Sequence, residues 1–302
     1  MLCAGLGTRL MPLTTVRAKA AVPIAGEPLL RRIIRHLVSH SVTDIVVNLH
    51  HLPQTIVSAV GDGGDLGARV RYSWEQPEVL GSAGGVRHAL ALLGVDTFLV
   101  VNGDTLTDLD IGALERAHRA SGGLVTMALV EGSAKYGGVQ IDRDGRVAGF
   151  TRRGASADAY HFISTQMVES RVFAGLPAGQ PASTVGGLYD ALIARQPGSV
   201  RGFVCGASFW DLGTVADYWS TAWAFAALEH EDGNVIGRRV NVAGTARLSR
   251  SLVWDDVIVS DGAVIEGCLI TDGVRVPAGA IYRDVILLRN PDGMPQTFPR
   301  MT

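Results

Sequence analysis

The sequence predicts an α/β protein with a doubly wound, mostly parallel sheet, followed by a short β-helix of hexapeptide repeats. Three observations lead to this fold class. Strand and helix patterns alternate from residue 26 to 130, a hairpin pattern follows at 137–153, and apolar residues recur every six positions beyond residue 250. We assign residues 1–232 to the first domain and residues 233–302 to the β-helix and tail.

The alternating region begins with an amphipathic helix over residues 28–38, whose apolar side chains share one face while the arginines lie opposite. Apolar runs then predict strands at 44–50, 69–74, 97–104 and 124–130, and helical patterns predict helices at 53–60, 84–93 and 111–120. Strands separated by helices of this length form parallel sheets. Ligands bind such sheets at the carboxyl ends of the strands, so residues that directly follow a strand are candidates for function.

The pattern changes twice after residue 136. The stretch GGVQIDRDGRVAGFTRR (137–153) has two short strands around an Asp-Gly turn, which predicts a hairpin, and a helix is predicted at 214–229. The apolar residues with a period of six are Leu252, Ile258, Val264, Ile270, Val276 and Tyr282. One hexapeptide per flat face is typical of a triangular β-helix. Its length allows two or three coils, which predicts a cap or the interface of a homo-oligomer.

Composition excludes several classes of protein. Of the 302 residues, 47% are hydrophobic and 19% are charged, and the net charge is −2. A nearly neutral chain without a basic stripe has no general attraction for nucleic acid or an anionic membrane. Cys3, Cys205 and Cys268 lie far apart and form neither a zinc motif nor a disulfide framework. No apolar run reaches the roughly 18 residues of a membrane-spanning helix, so we expect a soluble, cytoplasmic protein.

The stretch GLGTR (5–9) is a candidate phosphate-binding loop. Its two glycines let backbone N–H groups approach an anion, and the threonine and arginine add further donors. It is neither a dinucleotide fingerprint nor a Walker loop, and an ordinary tight turn is the alternative. Arg17 and Lys19 follow Arg9 within ten residues. Three cations beside a glycine loop favour a polyphosphate ligand, with Lys19 neutralising charge in a transition state; a solvated basic turn is the alternative.

Two aspartates are candidate magnesium ligands. Asp104 follows an apolar strand in VVNGDTLTD, and Asp211 precedes a predicted helix in SFWDLGT. Two carboxylates on separate segments can hold Mg²⁺ and leave positions open for phosphate oxygens. For Asp108 and Asp110 we prefer helix capping or an Asx turn.

Three further features have structural alternatives. The small-residue turn EVLGSAGGVRHAL (78–90) would let a base or ribose lie against the backbone, or it would serve close helix–strand packing. His50 and His51 are adjacent on a strand, so their side chains point to opposite faces and we interpret them as structural. Cys205 and Cys268 are interpreted as small core residues rather than nucleophiles.

Six segments, taken in order, resemble the sugar-1-phosphate nucleotidyltransferases, or nucleotide-sugar pyrophosphorylases. They are LCAGLGTRLMPLT, RAKAAVPIAGEPLL, LGSAGGV, VNGD, YGGV and FWDLGT, and they run from residue 2 to residue 214. The resemblance is greatest to bacterial mannose-1-phosphate guanylyltransferase-like proteins. It implies a Rossmann-like (GT-A-like) fold, and the hexapeptide tail is similar to the left-handed β-helix found in the family.

The resemblance also implies substrates and site residues. The partners would be an NTP and a sugar 1-phosphate, whose phosphate oxygen attacks the α-phosphorus and releases pyrophosphate. The implied residues are Arg9 and Lys19 at the reacting phosphates; Gly5, Gly7, Thr8, Gly81, Gly84 and Gly85 at the nucleotide; Asn102 and Gly137 at the sugar; and Asp104 and Asp211 at Mg²⁺, the implied cofactor.

Three departures from the family pattern leave the sugar open. Ala18 replaces the usual proline before the lysine, Arg152-Arg153 replaces a Glu-Lys pair, and Ser164 stands where a glycine is common. GTP with mannose 1-phosphate is the preferred substrate pair. Uridylyl or thymidylyl transfer to another sugar 1-phosphate is one alternative, and a regulatory paralogue that binds nucleotide sugar without turnover is another. An acyltransferase in the β-helix is disfavoured, because the last histidine is His230.

The phosphate loop has little chain before it. Only Met1 to Ala4 precede Gly5, whereas a typical strand needs about five residues and the family has an apolar strand at this place. We therefore hypothesise that this sequence starts several residues late, through a misassigned start codon or a truncation.

Overall fold

The computed structural model describes residues 1–132, 135–152, 159–229 and 233–300. Arg153 and residue 232, where the first predicted domain ends, lie outside these ranges. The chain forms two compact units: Met1–Gly5 with Arg32–Trp210, and Leu6–Arg31 with Asp211–Thr302. The second unit thus combines an N-terminal segment with the C-terminal region, and the boundary after residue 232 stays a prediction.

Five of the described helices lie close to their predicted positions: α1 Leu29–Ser39, α2 Pro53–Val60, α3 Gly81–Leu93, α4 Ile111–Ser121 and α7 Val215–Glu229. The sequence did not predict the other two, α5 Arg171–Ala174 and α6 Tyr189–Arg195. Helix α4 shows why its ends fall where they do. The Asp110 carboxylate accepts a hydrogen bond from the Ala113 N–H, and Gly122 takes the left-handed conformation that ends the helix, with φ 64°. The predicted capping role of Asp110 is confirmed.

The first unit contains a mixed sheet that the N-terminal residues help to join. Its strands lie in the order Arg69–Trp74, Asp44–Leu49, Thr97–Val101, His161–Glu169, Val125–Val130 and Val200–Val204, with Leu2 bridging in parallel to both Asn48 and Asn102. His161–Glu169 is antiparallel to both of its neighbours, and the other pairings in this sheet are parallel. Valine, methionine and leucine side chains on Val125–Val130 are fully buried and form the centre of the core.

Strand His161–Glu169 contains a bulge at Ser164. Its register with Val125–Val130 shifts between Phe162 and Gln166, and Ser164 has φ 60°. The Ser164 carbonyl accepts a hydrogen bond from the Asn102 N–H at 3.0 Å. Only glycine adopts a left-handed φ without strain, which is a physical reason for the glycine that is common here in the resembling family.

The predicted hairpin is present. Strands Gly138–Ile141 and Val147–Thr151 pair antiparallel, with Gly138 opposite Thr151, and Gly145 in the turn has φ 73°. Two further short strands, Thr105–Thr107 and Phe209–Asp211, follow the sheet strands along the chain.

The second unit contains a short hairpin, Pro23–Ile24 with Glu27–Pro28, and a three-sided parallel β-helix. The first face consists of strands Val235–Ile236, Leu252–Val253, Leu269–Ile270 and Val285–Arg289, and strand Pro295–Pro299 pairs antiparallel with the last of these. The second face consists of Asn241–Val242, Ile258–Val259 and Arg275–Val276. The third face consists of Arg247–Ser249, Val264–Glu266 and Ile281–Arg283. Val235 pairs with Leu252 and Leu252 with Leu269, so each coil is 17 residues long.

The 17-residue coil changes the predicted register of the β-helix. A strict period of six would need 18 residues for three faces, so one step in each coil is five residues long. Val253, Val259 and Ile265 are therefore the buried residues of one coil, and Ile270 and Val276 continue the next. The predicted mark Ile258 is 37% exposed, because its neighbour Val259 points inward. No described helix is long and apolar enough to cross a membrane.

Candidate active site

From Leu6 onward, the predicted phosphate loop and the segment that follows it lie in the second unit. This stretch forms three short 3₁₀ turns, Thr8–Leu10, Leu13–Thr15 and Lys19–Ala21. Gly7 has φ 64°, and its carbonyl accepts a hydrogen bond from Thr14 Oγ1 at 3.0 Å. A Cβ atom on Gly7 would lie 2.7 Å from Thr14 Cγ2 and 3.4 Å from Lys19 Cβ. Both the conformation and the lack of space require glycine. The loop therefore brings Gly7 and Lys19 together.

Arg9 lies beside the second aspartate segment, within the same unit. A Cβ atom on Gly213 would lie 2.8 Å from Asp211 Oδ2, 3.1 Å from Asp217 Oδ2 and 3.3 Å from Arg9 Nη1. These side-chain atoms therefore surround one small space above Gly213. Asp217 Oδ2 accepts from Thr214 Oγ1 at 2.9 Å, and Thr214 Oγ1 accepts from the Asp217 N–H at 3.2 Å, which fixes the start of helix α7.

Arg17, the second cation of this stretch, is bound by carboxylates. Its Nε lies 2.6 Å from Asp272 Oδ2, and its Nη2 lies 2.8 Å from Asp255 Oδ2. The side chain is only 13% exposed. Arg17 is therefore paired with two carboxylates of the β-helix, rather than open to phosphate or to solvent as the sequence predicted.

Asn102 and Asp104 lie in the first unit, just beyond the carboxyl end of strand Thr97–Val101. The Gly103 N–H donates to the Leu2 carbonyl at 2.9 Å, and Thr105 Oγ1 donates to Asp104 Oδ1 at 3.3 Å. Both Asn102 and Asp104 are partly exposed. Asp104 therefore follows a strand closely, which is the position from which the sequence predicted a magnesium ligand.

Asn48 and Glu75 organise the same edge of the sheet, and neither was predicted from the sequence. Asn48 Oδ1 accepts from the N–H groups of Cys3 at 2.5 Å and Ala4 at 3.2 Å, and its Nδ2 donates to Glu75 Oε1 at 2.6 Å. Glu75 Oε2 accepts from the Leu80 N–H at 2.7 Å. The signal was the single asparagine within the apolar run DIVVNLH, since a buried amide in a strand needs specific partners.

Three of the five glycines predicted at the nucleotide site, Gly81, Gly84 and Gly85, lie at the start of helix α3. Gly81 has φ 71°. A Cβ atom on Gly84 would lie 2.5 Å from the Gln180 carbonyl oxygen, and one on Gly85 would lie 2.5 Å from Glu75 Oε1. Close packing against protein atoms, which was the alternative interpretation, is therefore one reason for glycine at both positions.

Gly137, the predicted sugar residue, lies beside an aromatic cluster. The rings of Tyr136, His161 and Phe209 pack together with centroids 4.2 to 5.4 Å apart. Burial lowers the pKa of His161. A hydrogen bond with the Gly137 backbone acts in the opposite direction, but its effect on the pKa is smaller. Among the described residues, no hydrogen-bond partner lies within reach of the buried His161 Nδ1. The three rings therefore form one aromatic cluster next to Gly137, and Lys135 Nζ lies 5.2 Å from the centroid of the Tyr136 ring.

The cysteines are poor nucleophiles. Burial raises the pKa of Cys3 to about 12, and it also raises the pKa of Cys205 and Cys268. A thiol with a raised pKa carries little of the reactive thiolate at neutral pH. Cys268 is fully buried in the β-helix core, as predicted.

The described residues include no group of three or more His, Cys, Asp or Glu side chains that could hold a metal ion. A divalent ion at Asp104 or Asp211 would therefore take its remaining ligands from substrate and water. The donor chemistry fits such an ion, because carboxylate oxygens on partly exposed aspartates suit a hard cation that keeps several waters.

Comparison with known proteins gives consistent matches. The model of the nucleotidyl transferase family matches residues 1–226. The mannose-1-phosphate guanylyltransferase of Mycobacterium tuberculosis is 28% identical, over 93% of this chain and 81% of its own length. The UTP–glucose-1-phosphate uridylyltransferase of Synechocystis is 29% identical, over 91% of this chain and 76% of its own length.

A solved structure agrees with these relatives. HddC from Yersinia pseudotuberculosis, complexed with GMP-PN, superimposes with a TM-score of 0.65 and 25% identity, over 74% of this chain and 97% of its own. The family match over residues 1–226, the matching relatives and the shared α/β fold lead to one conclusion: the chain belongs to the nucleotidyl transferase family, as a sugar-1-phosphate nucleotidyltransferase.

Proposed function

We propose that the protein transfers a guanylyl group from GTP to mannose 1-phosphate. The choice of base is supported by the match to a guanylyltransferase over 93% of the chain. The likeness to HddC in its complex with GMP-PN supports it further. In the reaction, an oxygen of the sugar phosphate forms a bond to the α-phosphorus of GTP. The bond from that phosphorus to the bridging oxygen breaks, and pyrophosphate leaves.

The protein needs no nucleophile for this transfer. Catalysis then consists of holding two anionic substrates in line and neutralising the charge that moves to the leaving pyrophosphate. Lys19 and Arg9 supply that positive charge, and Gly5, Gly7 and Thr8 offer donors to the phosphates. The proximity of Gly7 to Lys19, and the left-handed conformation of Gly7, support this assignment.

Members of the family use a divalent metal ion, and we propose Mg²⁺ held by Asp104 and Asp211. When bound, the ion would withdraw negative charge from the phosphate oxygens and make the α-phosphorus more electrophilic. Gly81, Gly84 and Gly85 would border the nucleoside, and Asn102 and Gly137 would border the sugar. The backbone bend at Ser164 and the ring cluster beside Gly137 support a shaped pocket for the sugar.

The experiment is a matrix of four NTPs against a panel of sugar 1-phosphates, with Mg²⁺ and pyrophosphate release as the readout. We expect the highest kcat/KM for GTP with mannose 1-phosphate. A highest value for another pair would contradict the proposed substrates but not the reaction, whereas no release from any pair would contradict both.

A uridylyltransferase is the second candidate, because the Synechocystis relative named as a uridylyltransferase is as similar to this chain as the guanylyltransferase is. In that case UTP would give the highest kcat/KM in the same matrix.

We also propose that the β-helix forms the interface of a homo-oligomer. Ile258 and Ile281 lie on its strands and are 37% and 60% exposed, and pairing would remove this apolar surface from water. Analytical ultracentrifugation tests the proposal: we expect a dimer or larger assembly, and a monomer at micromolar concentration would contradict it.

A further inference from the structure

Arg17 connects the phosphate loop to the β-helix, although 255 residues separate it from Asp272. Its Nε and Nη2 donate to the two carboxylate oxygens of Asp272 at 2.6 and 2.7 Å, and Nη2 also donates to Asp255 Oδ2 at 2.8 Å. A two-pronged arginine–carboxylate pair fixes direction as well as distance. Arg17 is thus held in a single orientation two residues before Lys19.

The two aspartates are themselves fixed by the β-helix backbone. Asp272 Oδ1 accepts from the Asp255 N–H at 3.1 Å, and Asp255 Oδ1 accepts from the Arg238 N–H at 2.7 Å. These residues lie at corresponding positions of successive coils, since each coil is 17 residues long. The β-helix therefore presents a preformed pair of carboxylates to Arg17.

A second connection holds the loop on the other side of Lys19. Tyr218 Oη donates to the Pro23 carbonyl at 2.8 Å, and Trp254 Nε1 donates to Tyr218 Oη at 2.9 Å. Trp254 and Tyr218 are almost completely buried. The guanidinium carbon of Arg17 lies 5.4 Å from the Trp254 ring centroid, so both connections meet at one tryptophan of the β-helix.

We propose that the β-helix sets the position of Lys19, with Arg17 as the positioning residue that carries this effect. The segment from Arg17 to Pro23 is held at one end by aspartates of the β-helix and at the other by Tyr218 of helix α7, and Lys19 lies between the two points. The inference rests on the proposed function, because it assumes that Lys19 acts on the reacting phosphates. It gives the C-terminal module a role in catalysis that is distinct from capping or assembly.

The charges around Arg17 argue against a direct contact with substrate phosphate. Its Nε and Nη2 already donate to carboxylates, and Nη1 lies 3.5 Å from the Ala21 carbonyl. Two carboxylates beside the guanidinium would also repel a polyphosphate. Arg17 acts through the loop and not on the substrate.

The test compares Arg17→Met and Asp272→Asn with the wild type in the pyrophosphate-release assay. Asp272→Asn removes a charge from the β-helix but keeps an oxygen that can accept from the Asp255 N–H. We expect kcat to fall at least about tenfold in both variants, since a small displacement of a catalytic group is costly. The KM for the sugar 1-phosphate should stay within twofold. Arg17→Lys keeps the charge without the two-pronged geometry, and its kcat should lie between that of the wild type and that of Arg17→Met.

Arg239→Met is the matched control. Arg239 makes a two-pronged pair with Asp256 inside the β-helix, at 2.5 and 2.7 Å, and neither residue belongs to the loop. We expect its kcat to stay within twofold of the wild type. The double variant Arg17→Met/Asp272→Asn should be no slower than the slower single variant, because both changes remove one connection.

Hydrogen exchange of the peptide covering residues 6–24 provides a readout that does not need activity. We expect faster exchange in Arg17→Met and Asp272→Asn but not in Arg239→Met. Wild-type kcat in the two variants, or exchange that is unchanged from the wild type, would overturn the proposal. An inactive wild type would contradict the proposed function, and faster exchange would then show that the connection itself exists.

Discussion

Ser164 holds a left-handed conformation that a glycine would adopt more easily, with φ 60° in the bulge of strand His161–Glu169. Replacing it by glycine removes strain but adds freedom to the unfolded chain. We expect Ser164→Gly to raise the free energy of unfolding by about 1 kcal/mol, measured by urea denaturation. Ser170, whose φ is −55°, is the control, and Ser170→Gly should lower it. An unchanged or lower value for Ser164→Gly would contradict the strain.

His161 makes stability depend on pH. Burial lowers its pKa below the ordinary value of 6.5, so the unfolded chain binds the proton more readily. Stability should therefore fall as the pH drops through and below 6.5. His161→Phe keeps a ring against Tyr136 and Phe209 without a titrating group, and it should lose less stability than the wild type between pH 7 and 5.5.

Thermal melting at the two pH values measures this difference. His36, whose pKa burial also lowers, leaves part of the pH dependence in place in the variant. Equal losses in the wild type and His161→Phe would exclude His161 as a source.

At this scale the sequence predicted residue types but not partners. Lys19 and Gly7 stood out because glycines and cations cluster in the first 20 residues, and the structure places them together. Arg17 met the same criteria, but its partners are two aspartates more than 200 residues away. No local pattern shows that the partners of Arg17 are distant carboxylates, so the sequence could not predict its role.

Helix α3 begins with glycines because protein atoms fill the space around them. A Cβ atom on Gly85 would lie 2.5 Å from Glu75 Oε1 and 2.7 Å from Asn48 Nδ2. We expect Gly85→Ala to lower the free energy of unfolding by about 1–3 kcal/mol, because it displaces a buried hydrogen-bonded pair. Gly175→Ala is the control, since no described atom lies within 4 Å of its Cβ position.

Urea denaturation and the KM for the NTP together separate the two interpretations of Gly85. An unchanged stability with a raised KM would mean that Gly85 faces the nucleotide and not the Glu75–Asn48 pair.

The β-helix register can be tested with two isoleucines. Ile265 is 1% exposed and Ile258 is 37% exposed. Ile265→Ala should destabilise the protein by about 2–5 kcal/mol through the cavity it leaves, whereas Ile258→Ala should cost less than about 1 kcal/mol. Similar losses of melting temperature in both variants, at a concentration at which the protein is monomeric, would contradict the register in which Ile265 points inward and Ile258 outward.

Elements with a strong period were predicted closely, and the fine register was not. The helix expected at 53–60 is found at Pro53–Val60, and the hairpin and β-helix are present where expected. The six-residue period placed the inward-pointing residue one position too early at Ile258, because isoleucine and valine are adjacent in Ile258–Val259. Either residue fits an apolar mark, and only the coil length shows which one points inward.

For the whole molecule, the sequence predicted the order of the elements but not how they are grouped. Residues 6–31 belong to the same compact unit as the C-terminal region, whereas domain prediction along the chain places them with their sequence neighbours. The contacts responsible, such as Tyr218 with Pro23, join residues that are far apart in sequence. Such grouping is a property of tertiary packing, which a linear pattern does not record.

Lys19 lies in the segment that we propose to catalyse nucleotidyl transfer to a sugar 1-phosphate. The most direct measurement is the rate of pyrophosphate release with GTP, mannose 1-phosphate and Mg²⁺ for the wild type, Lys19→Met and the exposed control Arg247→Met. We predict release by the wild type and the control, a loss of at least about 100-fold in Lys19→Met, and equal melting temperatures. Equal rates in the wild type and Lys19→Met would contradict the proposed catalytic role of Lys19.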